Sequence, residues 1–425
     1  MEGGSWISKL PPNSGNKKMK VGIGYSSEAD AFQAGKQSIE KAIRKSDILQ
    51  PDIVFAFCNG SYDHDKFIKG IQVITGEDVP VIGGSAVGIL TNEYLSYDGF
   101  SAGVAVIRLD GLEFRLSTVN DLDKNEKRTG EKLAKQLLNT PEDKIVLLFY
   151  DSIRVPAAAN TPPVLNNSTN FLEGFEQNLT SAAPVLGAGL LGDLAFGNTK
   201  LFCGSHVSSQ CAAGLAISGE IDVYHRIMHG CSPLDGIYHT ITKIDGPIVY
   251  ELDGIPITQI IDEIYGNKNW RSQQPVKQLA LGVNYGKKFD TPKETNYVTR
   301  LINCALQDGE GIVLFESDFK EGTEIQIMLR SGGEMIESTR RNTTQLINEI
   351  QTDGKKAIFG FYIDCAGRAS VSSSTQTEEA SEVQKIFNAR GIPLLGFYSG
   401  VEIAPFLGKS QGLDWTGVLI VFAER

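Results

Sequence analysis

Gly70, Gly83 and Gly88 are each followed 104 residues later by another glycine, Gly174, Gly187 and Gly192. A spacing that holds across a stretch of 19 residues marks a duplicated unit, and a duplicated unit confines the fold, because the chain must build the same piece more than once. The first copy runs DIVFAFCNG (52–60), FIKGI (67–71), PVIGGSAVG (80–88) and SAGVAVIRL (101–109). The second runs KIVLLFYDS (144–152), FLEGF (171–175), PVLGAGLLG (184–192) and AAGLAISGE (212–220). A third, looser copy runs AIFGFYIDC (357–365), EVQKIF (382–387), PLLGFYSGVE (393–402) and WTGVLIVFA (415–423). It carries a carboxylate, Glu402, just past the glycine turn.

Each copy reads as strand, helix, strand, glycine turn, strand. Continuous apolar runs such as IVFAFC and IVLLFY predict strands covered on both faces, so helices must pack on the sheets. The helical stretches keep the matching period: Phe67, Ile71 and Ile74 share one face, as do Leu172, Phe175 and Leu179, and Val383, Ile386 and Phe387. A further helix precedes units one and three; Ser27 with Asp30 three residues on reads as a weak capping box for the first of these. Between units two and three the texture changes. YHTITKIDGPIVYELDGIPI (238–257) alternates like two short strands, with Asp245-Gly246 as the hairpin signal, and 258–266 reads as a short helix. Residues 155–170, rich in Pro and Asn, suit a surface loop. The expected class is therefore α/β, with repeated units forming helix-covered sheets and a β-rich insert.

At 425 residues the chain is long enough for two or three domains. A hydrophobic content of 41% with 21% charged residues argues for packed cores throughout. The net charge of −11 repels phosphate backbones and anionic lipids, so nucleic acid is not an expected partner. No apolar run reaches the ~18 residues of a membrane span, and residues 1–19 read as a flexible lead-in without the apolar core of a secretion signal. Six cysteines are too few in such a length for a disulfide framework. These readings together predict a cytoplasmic protein with no membrane insertion.

The PxxGGSxxG turn at 80–88, the run GCSPLDGIYHTIT…VYELDGIPI at 230–257, Cys365-Ala-Gly367-Arg368 and Gly396-Phe-Tyr-x-x-x-Glu402-Ile-Ala-Pro405 together resemble the FIST family, whose name joins F-box and intracellular signal transduction proteins. The resemblance covers about 20–425 and implies an N-terminal FIST domain over 20–225 and a C-terminal one over 226–425. It implies a sensory module for small ligands, amino acids among them, often fused to signalling output domains. No stretch here is left over for such an output, so a separate signalling protein is the expected partner. Asp414-Trp415-Thr416 also departs from the family, in which an Asn often stands near the C-terminal Thr.

Glu402 sits among Phe397, Val401, Ile403 and Phe406, where an unpaired carboxylate costs several kcal/mol, so water, a cation or a donor must meet it. Either it receives a ligand's ammonium at a cleft or it closes the domain as an ion pair. Arg368, three residues beyond a predicted strand, has the fork that grips a carboxylate, though an ordinary loop charge reads the same way. Asp364, with Asn59 and Asp151 at the matching positions, lies at a strand end, where doubly wound sheets bind ligands and where helix caps also sit. Cys365 tempts a nucleophile reading but lacks any histidine after His239, which favours a small residue in a tight site. Gly367 and Tyr398 complete the third-unit set. Gly83, Gly84 and Ser85 open a turn whose amides are free to touch a ligand, yet Ile89-Leu90 stand where a phosphate loop needs Lys and Ser/Thr. Gly187-Ala-Gly189-Leu-Leu-Gly192 matches the dinucleotide fingerprint in letters without a following helix, and Cys203, His206 and Cys211 only loosely match ligand spacing, so no cofactor or metal is expected.

The leading expectation is a sensor that holds an amino acid or small anionic metabolite in the C-terminal cleft. An enzyme using Cys365, Asp364 or Glu402 for proton transfer is the alternative. A scaffold without a ligand is a third reading.

Overall fold

The computed structural model describes residues 5–7, 19–158 and 163–424. Three of its sheets share one pairing order. In the first, Ile53–Cys58 runs parallel to Val81–Ser85 and antiparallel to Ala102–Leu109, whose other side pairs with Met19–Ser26. In the second, Asp143–Asp151 pairs in the same senses with Val185–Leu190 and Cys211–Ser218, and Glu113–Asn120 follows. In the third, Lys356–Cys365 pairs with Leu394–Ser399 and Gly417–Glu424, and Asp222–Met228 follows.

The apolar runs are explained by what lies on each face. Ile53, Phe55 and Phe57 point into a core shared by all three sheets, whereas Val54, Ala56 and Cys58 point to helices. Helices α1 (Ala31–Ser46) and α2 (His64–Thr75) cover the first sheet, and α3 (Glu126–Leu137) and α4 (Ser168–Glu176) the second. Helix α5 (Ile257–Tyr265) belongs to a barrel, and α6 (Gly332–Thr352), the short α7 (Ser370–Ser373) and α8 (Ala380–Ala389) surround the third sheet. At the centre Phe57 stacks on Phe397 with ring centroids 4.0 Å apart, and Phe149 meets Phe57 edge-on at 5.7 Å. Such aromatic packing adds about 0.5–1.5 kcal/mol per pair beyond area burial.

Beyond its glycine turn each unit sends a hairpin to another sheet. Residues 89–96 pair with the third sheet at Leu395–Phe397, 201–208 with the first at Val81–Gly84, and 401–413 with the second at Gly187–Gly189. The exchange runs in a ring, so the three units interlock. It also sets Glu402 between Ala188 and Leu413, inside a sheet to which its own unit does not belong.

The β-rich insert is a closed barrel. His239–Asp245, Ile248–Leu252, Ile312–Leu314, Tyr297–Ala305, Leu279–Asn284 and Glu324–Arg330 pair in turn, and the last returns to the first. Its interior and α5 bury Trp270, Ile261 and Leu281. The hairpin at Asp245 forms where the alternation predicts it, with Asp245 opposite Ile248.

Two local expectations change. Asp30, not Ser27, caps α1, its Oδ1 accepting from Gln33 N at 2.9 Å; a shorter helix leaves Ser27 outside. Within the lead-in, Ser5–Ile7 forms a strand on Arg115–Ser117 and Met19 already begins a strand, while residues 1–4 and 8–18, like 159–162 of the predicted surface loop, lie outside the described residues.

Candidate functional site

The central strand of the third sheet ends in Asp364 and Cys365, and one 3-10 turn, Ala366–Arg368, folds Arg368 back over them. Arg368 Nε donates to Asp364 Oδ1 at 2.8 Å, Nη1 to the carbonyls of Trp415 at 3.1 Å and His229 at 3.2 Å, and Nη2 to Thr339 Oγ1 at 3.0 Å and Glu379 Oε1 at 2.8 Å. A guanidinium has five N–H donors, and all five are used here. Tyr362 and Thr339 also donate to Glu379, and Tyr398 donates to Glu378 at 3.0 Å. Arg368 is thus bolted to the fold; to grip a ligand it would have to release one of these partners.

Glu402 is fully buried. Its Oε1 accepts from Ser399 Oγ at 2.8 Å, and the same hydroxyl lies 3.1 Å from the carbonyl of Asp364. Its Oε2 has no hydrogen-bond partner among the described residues. Burial, then the charge of Asp414, pushes the Glu402 carboxyl well above its ordinary range, and Ser399, Arg368 and the Thr416 N–H offset this only in part. Burial and Glu379 do the same to Asp364 against the pull of Arg368. One guanidinium cannot neutralise Asp364, Glu379 and Glu402 together, so the site favours taking up protons or a cation. Asp414 accepts from Leu301 N at 2.9 Å and is pushed up to about 6 by burial.

Unpartnered buried polar atoms cluster here. They are Glu402 Oε2, Arg330 Nε and Trp415 Nε1, with Tyr150 OH on the second sheet nearby, while Asp364 Oδ2 and Glu379 Oε2 find a partner only when the two facing carboxyls share a proton. Native interiors leave only a few such atoms per hundred residues, and each one asks for a water, an ion or a ligand. Gly367 admits the Trp415 ring: a Cβ there would lie 2.0 Å from Trp415 Cζ3. Arg330, the last residue of the barrel strand, places its guanidinium carbon 3.8 Å from the centre of the same ring. The Cys365 thiol is pushed up by burial and by Glu402, which keeps it from the thiolate form a nucleophile needs.

The turn residues of the first unit face elsewhere. Ser85 Oγ lies 3.0 Å from His64 Nε2 and accepts from Lys200 N at 2.9 Å. Gly83 and Gly84 lie inside their sheet, where a Cβ would meet the carbonyls of Ala56 and Lys200 at 1.9 and 2.3 Å. The turn reaches the site at its far end, where Tyr398 N donates to the Gly88 carbonyl at 3.1 Å and Val87 packs in the cluster that holds Tyr362 and Tyr398. Asn59 and Asp151 each accept from the backbone N–H two residues on, at 3.0 Å, as loop braces. Cys203 and Cys211 are buried in the shared core while His206 is exposed, so the three do not converge.

Sequence reasoning missed Arg330, Glu378, Glu379 and Thr339, and took Trp415 only as a neighbour of Asp414. The one available signal was in EIQIMLR, where Gln326 and Arg330 fall on the same face of an alternating strand as Met328.

The FIST N domain model matches residues 52–255 and the FIST C domain model residues 258–405. The chain belongs to the FIST family. FIST domains are associated in general with signal transduction and small-ligand sensing. The N-terminal match takes in the first barrel hairpin, and the C-terminal match contains Arg330, Asp364, Arg368 and Glu402. Among curated proteins, this FIST chain is 23% identical over 241 residues to an uncharacterized protein of Mycobacterium bovis, covering 56% of this chain and 60% of that one. It is 22% identical over 335 residues to an uncharacterized protein of Methanocaldococcus jannaschii, covering 76% and 60%. The matches thus span about three fifths of each relative's length. Among solved structures, a chorismatase aligns at 11% identity and a TM-score of 0.33, covering 96% of this chain and 98% of that one. PurL of T. maritima complexed with FGAR aligns at 10% and 0.23, covering 96% and 74%. Likeness this weak carries no argument about fold or chemistry. Among the described residues no helix is long and apolar enough to cross a membrane, which says nothing of a β-barrel.

Proposed function

We propose that the protein is a small-ligand sensor whose site lies where the third sheet, the exchanged hairpin and the barrel meet, and that the ligand is an amino acid or a related small metabolite. The observation that carries this is the bare Oε2 of Glu402, buried in a cluster with more carboxylates than cations to balance them. A ligand ammonium supplies the missing donor and the missing charge. Asp364, Ser399 and Tyr398 position Glu402 and the turn around it, and Cys365 and Gly367 supply small walls.

Because the site is closed, a ligand enters only when the elements around it part. A ligand that binds one of the two states more tightly shifts the balance between them, and the altered surface is what a separate signalling protein would read. The protein is read as acting in the cytoplasm.

The test is a thermal-shift screen of the purified protein against amino acids, with Glu402→Gln beside the wild type. An amino acid that binds the folded state raises the melting temperature by mass action. Glu402→Gln should abolish that rise while making the ligand-free protein more stable by roughly 1–3 kcal/mol, since it removes an under-compensated buried acid. A Glu402→Gln protein that is less stable and still responds would identify Glu402 as a strut and reject the proposal.

A further inference from the structure

Arg330 differs from the other arginines buried in this molecule. Arg300 is paired with Asp318, and Arg368 with Asp364 and Glu379. Arg330 is 6% exposed and has no carboxylate partner among the described residues. Its Nη1 donates to the carbonyl of Lys277 at 3.0 Å, and its Nη2 donates to that of Gly367 at 2.7 Å and approaches Met335 Sδ at 3.9 Å. Neutral carbonyls orient the guanidinium without cancelling its charge. A buried cation left this way costs several kcal/mol, so a fold that keeps one has a use for it or an anion to meet it.

The donors that remain are adjacent. Arg330 Nε and Trp415 Nε1 are both buried, both unpartnered, and belong to planes in cation–π contact, the guanidinium carbon 3.8 Å from the ring centre. The apolar cluster around them holds Cys231, Cys365, Met328 and Tyr297, and the Asp364 carboxylate acts on the guanidinium through space without touching it.

We propose that Arg330 and Trp415 form the receptor for a small monoanion, a carboxylate, in the same interior as Glu402. The match is one of charge and of donor count. Arg330 has no carboxylate in direct contact, only Asp364 acting on it through space, so it can take one negative charge, whereas a dianion would add to the surplus of carboxylates around Asp364 and Glu402. Two N–H donors serve the two oxygens of one carboxylate. The carbonyls of Lys277 and Gly367 hold the guanidinium in place before the anion arrives, so little side-chain freedom is lost on binding. Burial brings the Arg330 pKa down to about 10, which still leaves it charged at neutral pH. Cys365 is near enough to feel both Arg330 and Glu402, so a cationic pole and an acidic pole lie close to one thiol. This inference rests on reading that interior as a ligand site, and it moves recognition of the ligand's carboxylate from Arg368 to Arg330.

Three probes separate the poles: sodium formate, which has only the carboxylate, methylammonium chloride, which has only the cation, and glycine, which has both. Melting temperatures are measured at matched ionic strength for the wild type, Arg330→Met and Trp415→Phe. Formate should stabilise the wild type in a saturable way, and Arg330→Met should lose that response while keeping the methylammonium response. Trp415→Phe keeps a ring under the guanidinium and removes one N–H, so it should weaken formate about tenfold, the equivalent of one charge-assisted hydrogen bond. If Arg330→Met does not fold, Trp415→Phe decides alone. A formate response equal in wild type and variants overturns the receptor. So does its absence from a wild type that glycine still stabilises, an outcome that leaves the sensor reading standing. Failure of glycine and every other amino acid to stabilise the wild type instead removes the sensor reading.

Discussion

Arg330 ends its strand and Arg368 lies three residues past the end of its own, and their surroundings give these two buried arginines different work. In the sequence Arg368 stands out, because it follows an apolar strand and sits in a recognisable motif. Its partners, Glu379, Thr339 and the carbonyls of His229 and Trp415, come from four other segments, so its full set of bonds was invisible there. Arg368→Met would strand Asp364 and Glu379 without a counter-charge, and removing one member of a buried pair costs about 3–5 kcal/mol. Urea unfolding should show that loss; a loss below about 1 kcal/mol would mean the bonds contribute little and free Arg368 for ligand. Glu402 was legible because a carboxylate in an apolar strand is anomalous by itself. That its second oxygen lacks a partner was not, since this depends on what the neighbouring sheet brings.

Among the helices, glycine decides how closely the layers approach. In the first unit a Cβ on Gly35 would lie 2.1 Å from the Phe67 carbonyl and one on Gly70 2.1 Å from that of Phe32, so α1 and α2 cross backbone to backbone. The second unit repeats the device, with Gly130 at 2.1 Å from the Phe171 carbonyl and Gly174 at 2.0 Å from that of Lys127. The glycine register in the sequence marks half of this arrangement, Gly70 and Gly174. The third unit has no glycine at its helix crossing; Thr339 of α6 instead reaches Glu379 at the start of α8, and Arg368 fills the space. At this crossing a buried polar contact takes the place of the glycine contact. Gly174→Ala improves helix propensity by ~1 kcal/mol but collides with backbone that has little room to yield, so a net loss of about 1–3 kcal/mol is expected. Chemical denaturation checks the sign; a stabilised variant would mean the helices separate at little cost.

For the whole molecule, the barrel is tied to the second unit through Glu316. Its Oε1 accepts from Ser168 Oγ at 2.6 Å and its Oε2 from Thr169 Oγ1 at 3.2 Å, at the N-terminus of α4. Burial pushes this carboxyl up to about 7, with Asp414 adding to the effect and Arg300 opposing it. A raised folded-state value means the folded protein holds the proton more tightly than the unfolded chain. The stability it contributes is complete below the ordinary glutamate range and is lost as pH rises through about 7. Asp414 and Asp151, each pushed up to about 6, act in the same sense. Unfolding free energy should therefore fall between pH 5 and 8, Glu316 accounting for on the order of 3 kcal/mol. Glu316→Gln cannot titrate and should flatten that fall; parallel slopes for wild type and variant would show that the tie is not where the protons are held.

From the sequence alone came the strands that need cover on both faces, the helices that supply it, the barrel's first hairpin and the anomaly at Glu402, because each follows from the order of apolar and polar residues within one segment. Which sheet receives each hairpin, how the barrel closes, and why Arg330 lies beside Trp415 were decided only in three dimensions. Strand exchange between units uses backbone hydrogen bonds that any residue can make, and a charge is left unpaired by what fails to reach it from distant parts of the chain. Neither leaves a local mark.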